Sequence, residues 1–269
     1  MLLNNARIGC YLLLTSISCF FALSADAASR DPYEKALKSY ENILRSVVVN
    51  GKVDYENLSR DRQPLENYIK ILAEQDLTKL DGSRAKSLLI NAYNAFTLRL
   101  ILDYWPQIES IKDIPDFPVA RRWQDKRWRI GKSLLSLDDI LHRHLRPMGD
   151  PLIHFAIVCA STSCADLSPK VYRTERLHKQ LEQAARNFLA DSQKGLRIGT
   201  RDNLFGRLIP FASISQIFYL YEEDFGKTMQ DRISFIYKYA PSDAQRFLSE
   251  NAQRLKIEKL PYDWTLNKR

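Results

Sequence analysis

Reactive side chains are scarce in this chain: four cysteines and four histidines serve 269 residues. There is no CxxC pair and no HExxH, and His and Cys are too few for a zinc site without distant carboxylates. No metal or cofactor is therefore expected. With only nine glycines, the chain carries neither a glycine-rich phosphate loop nor a G-x-S-x-G nucleophile elbow. Dense Lys/Arg runs are missing too, and the one basic-aromatic cluster, Arg121-Arg122-Trp123 to Trp128-Arg129, is too short to argue for nucleic acid. No internal repeat, low-complexity block or Gly/Ser/Pro-rich linker divides the chain.

A long unbroken apolar run is also lacking. The stretch Ile8 to Leu23 follows a lone basic residue, Arg7, and is interrupted by Thr15, Ser16 and Ser18. It falls short of the roughly 18 apolar residues of a membrane span. Ala25-Asp26-Ala27 then supplies small residues at the two positions a signal peptidase reads, so 1–27 reads as a secretory signal peptide. A retained anchor and a lipidated Cys19 are the alternatives. Residues 28–269 are expected to form a single exported domain, in the periplasm or cell envelope, with no transmembrane span after cleavage. The net charge of +8 suits an anionic envelope polymer or peptide as partner, or simply a solvated basic surface. Cys10 and Cys19 leave with the signal segment, and Cys159 and Cys164 stay in an oxidising compartment.

Helical signals dominate the rest. Pro32 opens a helix to about Val48, and Asn50-Gly51 marks a tight turn. Ser83 to Tyr104 is apolar on every side, which describes a buried helix. Trp128 to Leu135 resembles a hairpin, and Ser136 with Asp139 caps a helix that Pro147 stops. Ile153 to Ala160 reads as the best strand. Thr174 to Ala190 is amphipathic, and 196–198 pairs with 204–209 as a hairpin. Helices follow at 213–221, 227–239 and 242–251, and the tail Leu255 to Leu266 packs Tyr262 and Trp264 onto the body. The expected class is α+β, predominantly helical around a small mixed or antiparallel sheet.

Chemistry concentrates in His154 to Cys164. In a regular strand Cys159 shares the apolar face of Ile153, Phe155 and Ile157, whereas His154 points the other way. Cys164 follows in a polar loop, where functional side chains are displayed. Three roles stand open for it: a nucleophile activated by an imidazole, a disulfide with Cys159, or a plain buried thiol. The disulfide would close a very short loop and contribute only about 2 kcal/mol. His142 shares a helix stripe with Asp138 and Arg146, either as an imidazole oriented by a carboxylate or as a solvated charge ladder. His144 falls among the leucines of that helix and reads as a core residue, and His178 as a surface one. Asn91 and Asn94, on the buried helix, need hydrogen-bond partners. They either latch a neighbouring loop or orient a catalytic imidazole.

Several segments together resemble the domain of unknown function 547 family, in an exported bacterial member. They are Leu89 to Thr97, Leu135 to His142 with Leu145-Arg146-Pro147, His154 to Cys164, Tyr221 to Phe225 and Leu260 to Asn267. The chain departs from the pattern in having Leu141 where an acidic residue precedes the helix histidine, and Ala165 where a proline follows the second cysteine. Only Asp138 or Asp139 then remains as a local carboxylate for His142. The resemblance implies no set chemistry, but it groups Asn91, Asn94, His142, Arg146, His154, Cys159 and Cys164 at one site. That inventory is similar to papain- or transglutaminase-like thiol enzymes. The expectation is a Cys164 nucleophile with His142 as base, His154 as alternative base and Asn91 or Asn94 as orienting amide, acting by hydrolysis or acyl transfer on amides or esters of envelope polymers. The competing expectation is a non-catalytic binding or scaffold module with a structural Cys159–Cys164 disulfide.

Overall fold

The computed structural model describes residues 31–115, 122–203 and 205–269. Residues 1–27, expected to be a signal peptide, lie outside them, as do Arg121 and Leu204. Asp31 caps the first helix, Pro32–Val47, by accepting from the Tyr33 amide. Its buried face packs on a second helix, Gln63–Leu72, where the Tyr40 and Tyr68 rings stack at 4.7 Å. Between them Val48–Val49 pairs with Lys52–Val53 across Asn50 and Gly51, both at positive φ, as a type I′ turn demands. A side chain on Gly51 would collide with Asp166, so this turn also requires glycine for space.

The helix Gly82–Leu102 runs through the centre, as its all-round apolar pattern predicts, although Asp81 rather than Ser83 is its cap. One buried apolar cluster gathers around it, reaching from Ala36 to Leu266. The architecture is α+β. Among the described residues the strands form two short hairpins and one three-stranded sheet. In that sheet Leu196–Asp202 runs antiparallel to Leu208–Ile214, which pairs in parallel with Lys256–Lys259. The hairpin Trp128–Ile130 with Ser133–Leu135 forms as expected, and Ser136 and Asp139 make a full capping box.

Four expectations are corrected. Ile153 to Ala160 is not a strand: Pro151–Phe155 is a 3-10 helix, and irregular chain follows. Asp150 accepts from the Leu152 amide and Pro151 pre-sets the first turn, a start signal that outweighs apolar content. Every residue from Leu152 to Val158 is buried, so the run has no two faces to alternate. His144 is half-buried rather than core, because Ile140–Leu145 is a π-helix whose wider turn moves it off the leucine side. Ser213 ends up in a strand and not at a helix start, and 196–198 pairs with 212–214 rather than with 204–209. The helices Tyr55–Arg60 and Gln63–Leu72 were not expected.

Candidate thiol site

The central helix braces the site through its two buried amides. Asn94 donates to the Ala156 carbonyl (2.8 Å) and accepts from the Val158 amide (3.0 Å), which fixes the chain just ahead of Cys159. Asn91 does the same to both backbone groups of Tyr172, at 2.8 Å each. Neither side chain bonds to an imidazole. Of the two uses open to them, the geometry displays the latch.

The loop from Cys159 to Cys164 is clasped by the end of the chain. The Asn267 amide donates to the Ala160 carbonyl (2.9 Å), Thr162 to Thr265 (2.8 Å) and Ser163 to Asp263 (3.2 Å). The Asp263 amide in turn donates to the Ser163 hydroxyl (2.8 Å). Ala160 sits at φ 60°, a left-handed turn that swings the chain between the two thiols. Tyr262 and Trp264 fold inward beside it, with rings 4.4 Å apart.

Both cysteines are unbridged and half-buried. The Cys159 amide donates to the Cys164 sulfur at 2.9 Å. Around the Cys159 sulfur lie the Ser161 hydroxyl at 3.0 Å and the Tyr262 hydroxyl at 3.3 Å. Ser161 gives its one hydroxyl proton to the Tyr262 oxygen (3.2 Å), which leaves the Tyr262 proton and the Ser161 backbone amide for the sulfur. Burial pushes the Cys159 thiol up, but hydrogen bonds from Cys164, Ser161 and Tyr262 outweigh it and leave its pKa lowered. Cys164 moves the opposite way: donating to Cys159 raises it, and burial raises it further. These directions favour the thiolate on Cys159. With the strand gone, the parity that assigned Cys159 to the core no longer holds.

The two candidate imidazoles differ in what they have left to offer. His142 accepts from Arg146 NH1 at Nδ1 (3.0 Å), so its proton is on Nε2, which faces Asp138 Oδ1 at 3.4 Å. The stripe Asp138, His142 and Arg146 is realised, and both nitrogens of His142 are occupied. His154 is buried, and its Nε2 donates to Asp224 Oδ2 at 2.7 Å. Arg146 clamps that carboxylate through Nε (2.7 Å) and NH2 (3.0 Å), and the Tyr221 ring stacks on the imidazole at 4.1 Å. Burial lowers the His154 pKa from 6.5 to about 4, against the pull of Asp224, so the ring is neutral at pH 7. Its Nδ1 is a bare acceptor, buried and without a partner. Among the described residues no hydrogen bond joins either sulfur to an imidazole.

One cavity of about 140 Å³ is lined by Cys159, Cys164, His142, His154 and Asp138 together. Asn91, Asn94 and Arg146 stand behind it, holding its wall. Asp224, Ser161, Tyr221 and Tyr262 are neighbours of the thiols and imidazoles that sequence reasoning did not single out as site residues. A usable signal existed for two of them: Tyr221 and Asp224 sit in one short acidic-aromatic segment, Tyr221 to Phe225. Among the described residues no group of three or more His, Cys, Asp or Glu is placed to hold a metal ion, and no helix is long and apolar enough to cross a membrane.

Residues 77–189 match a family model described as Protein of unknown function, DUF547. The match takes in the central helix, the capped helix, His154 and both thiols, and stops short of Asp224 and the clasping tail. No curated protein and no solved structure is matched.

Proposed function

We propose, for a chain that belongs through residues 77–189 to the DUF547 family, a thiol-dependent acyl-transfer or hydrolytic activity on amide or ester bonds. The observation that carries it is His154: Nε2 is locked on Asp224, Nδ1 is buried without a partner, and the imidazole lines the cavity that holds both thiols. A buried nitrogen without a partner costs stability, and such groups persist where function uses them. Cys159, whose sulfur receives three donors, is the nucleophile in this reading, and Cys164 its proton-carrying neighbour.

The Cys159 thiolate attacks the carbonyl carbon, and the C–O or C–N bond breaks as the leaving group takes the Cys164 proton. Water then attacks the thioester while giving a proton to His154 Nδ1, and the Cys159 thiolate is expelled. His154 returns the proton to Cys164, so the net reaction consumes one water. The basic charge and the signal-like N-terminus support an exported protein acting on envelope polymers. Intact mass spectrometry after exposure to an activated ester tests the reading. The expected result is one acyl adduct on Cys159, absent in Cys159→Ser and long-lived in His154→Gln. A thiol pair that labels only after reductant is added would instead establish the structural disulfide and overturn the enzyme.

A further inference from the structure

The cavity also carries information about what is transferred. Apart from the thiols, the imidazoles, Asp138 and three tyrosines, its lining is apolar, formed chiefly by Leu141, Ile157, Ile217, Leu220, Trp123 and Trp264. No lysine or arginine lines it to pair with a carboxylate or phosphate on the group that enters. Asp138, the one carboxylate on the wall, already faces the Nε2 proton of His142. An empty apolar cavity of about 150 Å³ holds one benzene ring, and this cavity is of that size, about 140 Å³.

We propose that this cavity is an acyl pocket selective for small, uncharged, apolar acyl groups, the size of a short branched chain or a single aromatic ring. The inference rests on the thiol-enzyme reading for its chemistry, since it places the acyl group beside Cys159. The pocket itself stands on volume and lining alone. Linear acyl chains should gain about fourfold in kcat/KM per methylene buried, until the cavity is full. A charged acyl group should lose at least tenfold against an uncharged one of equal length, because its charge would be desolvated without a partner.

The test is a series of 4-nitrophenyl esters, acetate, butyrate, hexanoate, decanoate, phenylacetate and hemisuccinate, given to the full mature chain. The expected profile rises from acetate, peaks at butyrate to hexanoate with phenylacetate comparable, falls at decanoate, and is lowest for hemisuccinate. Ile217→Phe, which fills the cavity, should move the optimum to acetate, and Trp123→Ala, which opens its wall, should move it to longer chains. Cys159 acylation that ignores chain length, or favours hemisuccinate, overturns the pocket while leaving the enzyme standing. Absence of Cys159 acylation with every ester overturns the enzyme instead. The pocket is then judged by ligand-observed NMR of phenylacetamide on Cys159→Ser: saturable binding lost in the Cys159→Ser, Ile217→Phe double variant supports it, and no binding overturns it.

Discussion

At the scale of single residues, the electrostatics of the thiol pair decides which sulfur reacts. A lone thiol of pKa about 8.5 is mostly protonated at neutral pH. The Cys159 sulfur instead faces Ser161, Tyr262 and Cys164, and their donors hold its pKa down against burial. Alkylation by iodoacetamide should therefore map to Cys159 by peptide mass spectrometry, with a rate midpoint below that of a free thiol. Tyr262→Phe and Cys164→Ala each remove one donor and should each move the midpoint upward, by on the order of one pH unit per charge-assisted hydrogen bond. A midpoint unmoved in both variants would falsify the assignment. The family resemblance placed Asn91, Asn94, His142, Arg146, His154 and the two thiols in one shortlist, and the cavity brings together the thiols and the two imidazoles of it. What it could not provide was the hierarchy among them. Tyr262 lies about a hundred positions away from Ser161 in the chain, and no local period reports such a contact.

At the scale of elements, the buried helix Gly82–Leu102 is the part whose role was most legible, because an apolar circumference interrupted by Asn91 and Asn94 has few physical explanations. The two amides should nevertheless behave differently when removed. Asn94→Ala leaves the Ala156 carbonyl and Val158 amide unpaired and should cost about 2–4 kcal/mol, with slower and less pH-sensitive Cys159 alkylation, since the freed segment leads directly into that residue. Asn91→Ala unpairs Tyr172 and should cost about as much in urea denaturation while leaving the alkylation profile in place. Equal effects of both on alkylation would show that the brace acts only through global stability. The helix stripe Asp138, His142 and Arg146 was legible for the same periodic reason. The segment before Cys159 was not, because a short apolar run has no period that separates a strand from a buried 3-10 turn, and Asp150-Pro151 was the signal that mattered.

At the scale of the whole molecule, the site is assembled from distant parts: the tail clasps the thiol loop, and Asp224 reaches the imidazole from the short helix Glu222–Phe225. Such long-range closure couples the site to global stability, and His154 makes the coupling measurable. Its folded pKa, about 4, lies below the unfolded value of 6.5. Between those values the unfolded chain binds a proton that the folded protein refuses, so stability rises with pH across that window. The contribution is fully present above pH 6.5 and is lost as pH falls toward about 4, by up to about 3 kcal/mol at 1.36 kcal/mol per pKa unit. Asp224, whose pKa is itself lowered, adds its own loss only below the ordinary carboxylate range, near 3.8. Urea midpoints taken between pH 7 and 4 should therefore decline in the wild-type chain and decline much less in His154→Gln, which cannot titrate. The slope is the readout, not the absolute stability of the variant. Parallel declines in the two proteins would mean that His154 is not held neutral in the folded state, and with that its bare Nδ1 would lose its place as the base.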